Sequence, residues 1–63
     1  MTHAKMSLLK EGDRVIAFGQ PGFVAHTNTD TGAVHIVHAR KFHKFHAGAW
    51  QVFVPTNEEW AHY

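Results

Sequence analysis

The stretch Asn28-Thr29-Asp30-Thr31-Gly32-Ala33-Val34-His35-Ile36-Val37-His38-Ala39 decides how this chain folds. Its first five residues are the strongest turn signal in the sequence. Asp30 is expected to bond the backbone ahead of it, and Gly32 to supply the positive φ of a short hairpin loop. The next seven residues alternate. Val34, Ile36 and His38 share one face of an extended strand, and His35, Val37 and Ala39 share the other. Val34 and Ile36 are expected to face a core.

Working back from the turn, Phe23-Val24-Ala25-His26-Thr27 reads as the strand that pairs with it. Before it, Gly19-Gln20-Pro21-Gly22 reads as a tight connection, because proline fixes φ and the glycines tolerate conformations closed to other residues. Asp13-Arg14-Val15-Ile16-Ala17-Phe18 is rich in β-forming residues and follows the turn signal Glu11-Gly12. Residues 1–10 carry little pattern. Met6, Leu8 and Leu9 could pack on the domain, and the first few residues are expected to be loose.

Working forward, residues 40–48 stay open between strand, turn and loop. The triplet Lys-Phe-His occurs there twice, at 41–43 and 44–46. A strand would put Phe42 and Phe45 on opposite faces, and a helical turn would put them on one side. Gly48 marks a break. Trp50-Gln51-Val52-Phe53-Val54 reads as a further strand, with Trp50, Val52 and Val54 on its inward face. Pro55 stops it. Thr56-Asn57-Glu58-Glu59 has the hydroxyl and the carboxylate of a capping box, and leads into Trp60-Ala61-His62-Tyr63.

The count is four strands, or five, joined by short turns, with no segment of sustained helical periodicity. A few short strands must curl to cover a core, since a flat sheet would leave one face bare. The expected fold is all-β: a small, strongly bent antiparallel barrel with a single helical turn near the C-terminus. Gly12-Asp13-Arg14-Val15, then Gly19-Gln20-Pro21-Gly22-Phe23-Val24, then Gly32-Ala33-Val34-His35-Ile36 resemble the SH3-like small barrels, and among them the KOW-type and Tudor-like domains. Those domains often end with a helical turn before a last short strand, a pattern that Val54-Pro55-Thr56-Asn57-Glu58-Glu59-Trp60 fits. The resemblance spans residues 11–60 and implies a fold and a general habit of binding nucleic acid, ribonucleoprotein partners or protein tails. It implies a barrel domain over 11–63, preceded by the weakly patterned segment 1–10.

The chain has 63 residues, which is one domain at most. It has no cysteine, so disulfides and thiolate metal sites are excluded. No apolar run approaches the roughly 20 residues of a membrane-spanning helix, and none of secretory length follows the N-terminus. The reading is a cytoplasmic protein with no membrane partner. Net charge is +1, but Asp30 and Glu58 bracket a stretch with no acid at all. That stretch carries Arg40, Lys41 and Lys44 with His35, His38, His43 and His46. It gains charge as pH falls through the imidazole range, near a pKa of about 6.5.

Function follows from that asymmetry. In Arg40-Lys41-Phe42-His43-Lys44-Phe45-His46, fixed cations alternate with aromatic rings and imidazoles. Phosphates need cations, and unpaired bases stack on rings. The expectation is a non-catalytic binding module that contacts nucleic acid or a ribonucleoprotein partner through these seven residues. The bland alternative keeps Phe42 and Phe45 in the core and the charges as a solvated rim. A second class of reading is a protein–protein adaptor, small inhibitor or assembly subunit. It would act through strand edges and through Trp60 and Tyr63 as partner-binding aromatics, and homo-oligomerisation belongs with it.

No metal site is expected. His35 and His38 are three apart on a strand and point to opposite faces, and His43 and His46 could meet only on a turn or helix. No cofactor is expected, because Gly19-Gln20-Pro21-Gly22 lacks the lysine, the hydroxyl and the helix of a phosphate-cradling loop. No catalytic residue is expected either. Ser7 is the single serine, and although His26 and Asp30 could be drawn as a dyad, the turn chemistry accounts for Asp30.

Overall fold

The computed structural model describes all 63 residues. Six strands form one antiparallel sheet: β1 (Thr2–His3), β2 (Arg14–Ala17), β3 (Gln20–Asn28), β4 (Ala33–His38), β5 (Lys44–Gly48) and β6 (Val52–Val54). They lie side by side in the order β1-β6-β2-β3-β4-β5. A short helix, α1 (Asn57–Ala61), follows the last strand. No helix is long and apolar enough to cross a membrane. The fold is thus all-β with a C-terminal helical turn, but with six strands in place of four or five. The sheet is also open. β1 and β5 are free edges and do not pair to close a barrel.

Local chemistry explains most of the elements. Ala17 pairs with Gln20, which leaves a two-residue turn at Phe18-Gly19. Both residues have positive φ, +53° and +71°, the backbone that matches the twist of a tight hairpin. The connection therefore begins one residue before Gly19–Gly22 and is only two residues long, and Gln20, Pro21 and Gly22 already belong to β3. Gly22 is required there for space. A Cβ at that position would sit 2.8 Å from the Val37 carbonyl oxygen and would collide with the Ile36 side chain.

β3 pairs with β2 through its first residues and with β4 along most of its length. The register shifts between Val24 and His26, so Ala25 is an extra residue opposite β4. Such a bulge bends the strand and increases its twist. It also changes what faces outward. Val24 stays in the core, and His26 comes directly opposite His35.

The core lies on one side of the bent sheet. Val15, Ala17, Val24, Val34, Ile36, Ala47 and Val52 pack together there, flanked by Ala4, Met6, Leu9, Phe45 and Ala49. Val34 and Ile36 are fully buried, as their alternation requires. The first residues are not loose: Thr2 and His3 pair with Val54 and Phe53, and the His3 and Phe53 rings lie 4.4 Å apart.

Trp50 does not face the core. It is 73% exposed and sits in a 3-10 turn, Ala49–Gln51, so β6 begins only at Val52. The Gly48 N–H donates to the Gln51 side-chain oxygen at 3.1 Å and closes that turn. A 3-10 turn has three residues per repeat, which breaks the period of two that would have turned Trp50 inward. Val52 takes the buried position, and Val54 is exposed. The helical turn before the last strand is therefore Ala49–Gln51. Thr56–Ala61 comes after it, with Thr56 and Glu59 exchanging N–H bonds at 2.9 and 3.2 Å as a capping box.

Candidate nucleic-acid interface

The basic stretch is neither all strand nor all helix. Ala39 to Phe42 form the turn between β4 and β5, and Lys44, Phe45 and His46 lie in β5. The turn has a twin at the other end of β4. In the β3–β4 turn, the Gly32 N–H donates to the Asn28 carbonyl at 2.8 Å. Asn28 Oδ1 accepts the N–H groups of Asp30 and Thr31, at 3.0 and 3.4 Å. It is thus the Asn28 side chain, and not that of Asp30, that caps this turn. In the β4–β5 turn, the Phe42 N–H donates to the His38 carbonyl at 3.0 Å. His38 Nδ1 accepts the N–H groups of Arg40 and Lys41, at 3.1 and 3.2 Å. Each turn closes on a residue of positive φ, Gly32 at +74° and Phe42 at +58°.

That twin turn positions the expected site. His38 is 6% exposed and acts as the anchor. With Nδ1 accepting two N–H groups, its proton is on Nε2. Burial, and then the charges of His43, Lys41 and Arg40, hold its pKa below the ordinary 6.5. Outside the anchor, Arg40, Lys41, Phe42, His43, Lys44 and His46 are all exposed, and Phe42 reaches 75%. None of the three fixed cations is paired: the one salt bridge in the molecule joins the Met1 ammonium to Glu59. That ammonium, with the Thr56 N–H, lowers the Glu59 pKa. Phe45 departs from the rest of the stretch. It is half-buried against the core and lies 6.5 Å from the His38 ring and 5.9 Å from His43. It packs against the turn and leaves less of its ring exposed than Phe42 does.

The histidines fall into two sets. His26, His35 and His46 form a ladder across β3, β4 and β5, with ring centroids 5.7 and 5.8 Å apart. The rings of His38 and His43 lie tilted against each other at the turn, with centroids 5.0 Å apart. His35 and His38 are on opposite faces, and His43 and His46 are in different sets. No three His, Asp or Glu side chains converge as metal ligands would.

Trp60 and Tyr63 are not free-standing surface rings. Both are half-buried. Arg14 and Phe23 are cross-strand partners on β2 and β3, and α1 lays Trp60 across them. Its ring centroid is 5.5 Å from Phe23, and the Arg14 guanidinium lies 5.4 Å above the ring. Arg14 also reaches Asn57 Oδ1 at 3.4 Å, which ties β2 to α1. Pro21, Phe23, Ala39, Arg40, Trp60 and Tyr63 line one cleft of about 210 Å³. Arg40 therefore belongs both to the basic turn and to the aromatic cleft. Sequence reasoning kept these two sets apart and missed Arg14 and Phe23. Alternation was the available signal, because both residues neighbour inward-facing valines and so point outward.

The class that fold and site define is a small antiparallel β-sheet protein with an exposed basic-aromatic turn beside an aromatic cleft. No protein family matches the chain, and no curated protein or solved structure does.

Proposed function

We propose that this chain is a non-catalytic binding module that contacts single-stranded nucleic acid, free or within a ribonucleoprotein, through the β4–β5 turn. The observation that carries the reading is Phe42. A bulky side chain at positive φ costs roughly 1–2 kcal/mol, and the twin turn has glycine at the same place. Phe42 gains little burial in return, being 75% exposed. A strained, exposed aromatic flanked by unpaired cations is a poor structural choice and a good stacking platform. Arg40, Lys41 and Lys44 would neutralise phosphates, and Phe42 and His43 would stack on bases. The order of the elements supports an SH3-like relationship, since a helical turn directly precedes a short last strand that returns to pair with β2.

The test is the affinity for a short mixed single strand as a function of salt. Binding should weaken with a log–log slope of about 0.7 for each phosphate neutralised. The double variant Lys41→Glu/Lys44→Glu should reduce both affinity and slope. An unchanged affinity would remove the proposal. One observation favours a second reading, a protein partner: β5 is an open edge that offers unpaired backbone to another strand. Such pairing would hardly respond to salt, so the same titration separates the two.

A further inference from the structure

The cleft beside the basic turn has a definite chemical character. Its walls are the rings of Phe23, Trp60 and Tyr63 together with Pro21, and its charged lining residue is Arg40. A second guanidinium, that of Arg14, already lies over Trp60. No Asp or Glu side chain lines the cleft. A ring-lined pocket of this kind could in principle hold a methylated ammonium group by cation–π attraction. Here two guanidinium groups oppose any cationic ligand. An apolar peptide would fill the walls but would leave Arg40 without a counter-charge. A flat ring that carries an anion satisfies both parts. The volume of about 210 Å³ is below the roughly 300–1,000 Å³ of sites that enclose a whole drug-sized ligand, so the cleft has room for one ring system.

The cleft is also fixed to the turn. The Ala39 N–H donates to the Pro21 carbonyl at 3.0 Å, which holds the start of the turn against the cleft wall. A strand whose phosphates follow Lys41 and Arg40 would arrive at the mouth of the cleft. We infer that the cleft is the base-binding subsite of the nucleic-acid face: it takes one unpaired base against Trp60 and Tyr63, with the adjoining phosphate on Arg40. The inference rests on the nucleic-acid reading and adds to it a place where base and backbone are bound separately.

The experiment uses the full chain carrying Trp50→Phe, which leaves Trp60 as the single tryptophan. Trp50 lies beyond the far end of β5, beside the 29–32 turn, since the Ala49 N–H donates to the Gly32 carbonyl. Two ligands are compared at equal charge: a short mixed-base strand, and a strand of the same length with abasic sugars. Anisotropy of an end-labelled strand reports binding, and the fluorescence of Trp60 reports the cleft. The expected result is saturable quenching of Trp60 by the base-bearing strand alone, with the abasic strand binding about a hundredfold more weakly, about tenfold for stacking on Phe42 and about tenfold for the cleft. Tyr63→Ala should weaken the base-bearing strand by about tenfold and leave the abasic strand unchanged. If the base-bearing strand binds the more tightly but Trp60 does not respond, the base subsite is wrong and stacking at the turn stands; if both strands bind equally, stacking on Phe42 fails with the subsite. If neither strand binds, the nucleic-acid reading fails and takes the subsite with it. If an acidic, tyrosine-containing peptide quenches Trp60 at lower concentration than the strand does, the cleft serves a protein partner and the inference is overturned.

Discussion

Phe18 and Phe42 are the two residues other than glycine with positive φ, and both are exposed aromatics at turns. They make a matched pair of tests. At position 18, asparagine followed by Gly19 would be the preferred pair for a two-residue hairpin turn. Phe18→Asn should therefore stabilise the protein by about 1 kcal/mol, since it relieves a left-handed aromatic. In a domain of this size that is a rise in Tm of about 4–8 °C by thermal melting. Phe42→Asn should be stabilising for the same reason, while nucleic-acid affinity falls by about tenfold through loss of a stacked ring. Opposite signs for stability and binding would mark Phe42 as retained for contact. A loss of stability at Phe42→Asn would show instead that the ring supports the turn. Neither φ value was legible in the sequence. At 18 and 42 the side chains gave no turn signal, whereas Gly32 gave one and sits where its chemistry requires.

The turn between β4 and β5 depends on a neutral His38. Protonation at Nδ1 would replace a lone pair that accepts the Arg40 and Lys41 N–H groups. Burial disfavours the cation first, and the charges of His43, Lys41 and Arg40 disfavour it further. With the folded pKa depressed, the unfolded chain binds the proton more readily. The stabilisation is therefore complete above the ordinary value of 6.5 and is lost as pH falls from there through the lowered folded value. We expect the His38 ring signals to titrate below 6.5 by NMR. The Arg40 and Lys41 amide signals should move in the same step. His38→Asn copies the Asn28 cap of the twin turn and should keep both amides bonded with no acid response. Amides that stay fixed while His38 titrates would rule out this coupling. The strands around this turn were readable because alternation and turn chemistry act over neighbouring residues. The parts that were not readable depend on distant ones. The 3-10 turn that exposes Trp50 is closed by Gln51, the bulge at Ala25 exists only against β4, and the cleft joins residues as far apart as Phe23 and Tyr63.

Eleven of the 63 residues are buried, so very few side chains carry the fold, and Ile36 is among the largest of those fully enclosed. A domain of this size draws no more than about 3–5 kcal/mol from a single core. Ile36 stands at the centre of that core, with Val24 opposite it on β3 and Phe45 on β5. Truncation to alanine should cost about 2–5 kcal/mol, which equals the whole stability, whereas Ile36→Val should cost about 0.5–1.5 kcal/mol. The expected outcome is a graded pair. Ile36→Val should melt cooperatively at a lower Tm, and Ile36→Ala should lack near-ultraviolet circular dichroism and protected amides at room temperature. A cooperatively folded Ile36→Ala protein at low concentration would mean that stability comes from elsewhere. Repeating the melt at rising concentration identifies where. If the Tm rises with concentration, the open β5 edge or the exposed aromatics are adding surface through a second copy. If it does not, the outer layer of α1, Trp60, Phe23 and Arg14 stabilises the monomer more than the small inner core suggests, and the cleft is a structural part of the fold as well as its proposed binding site.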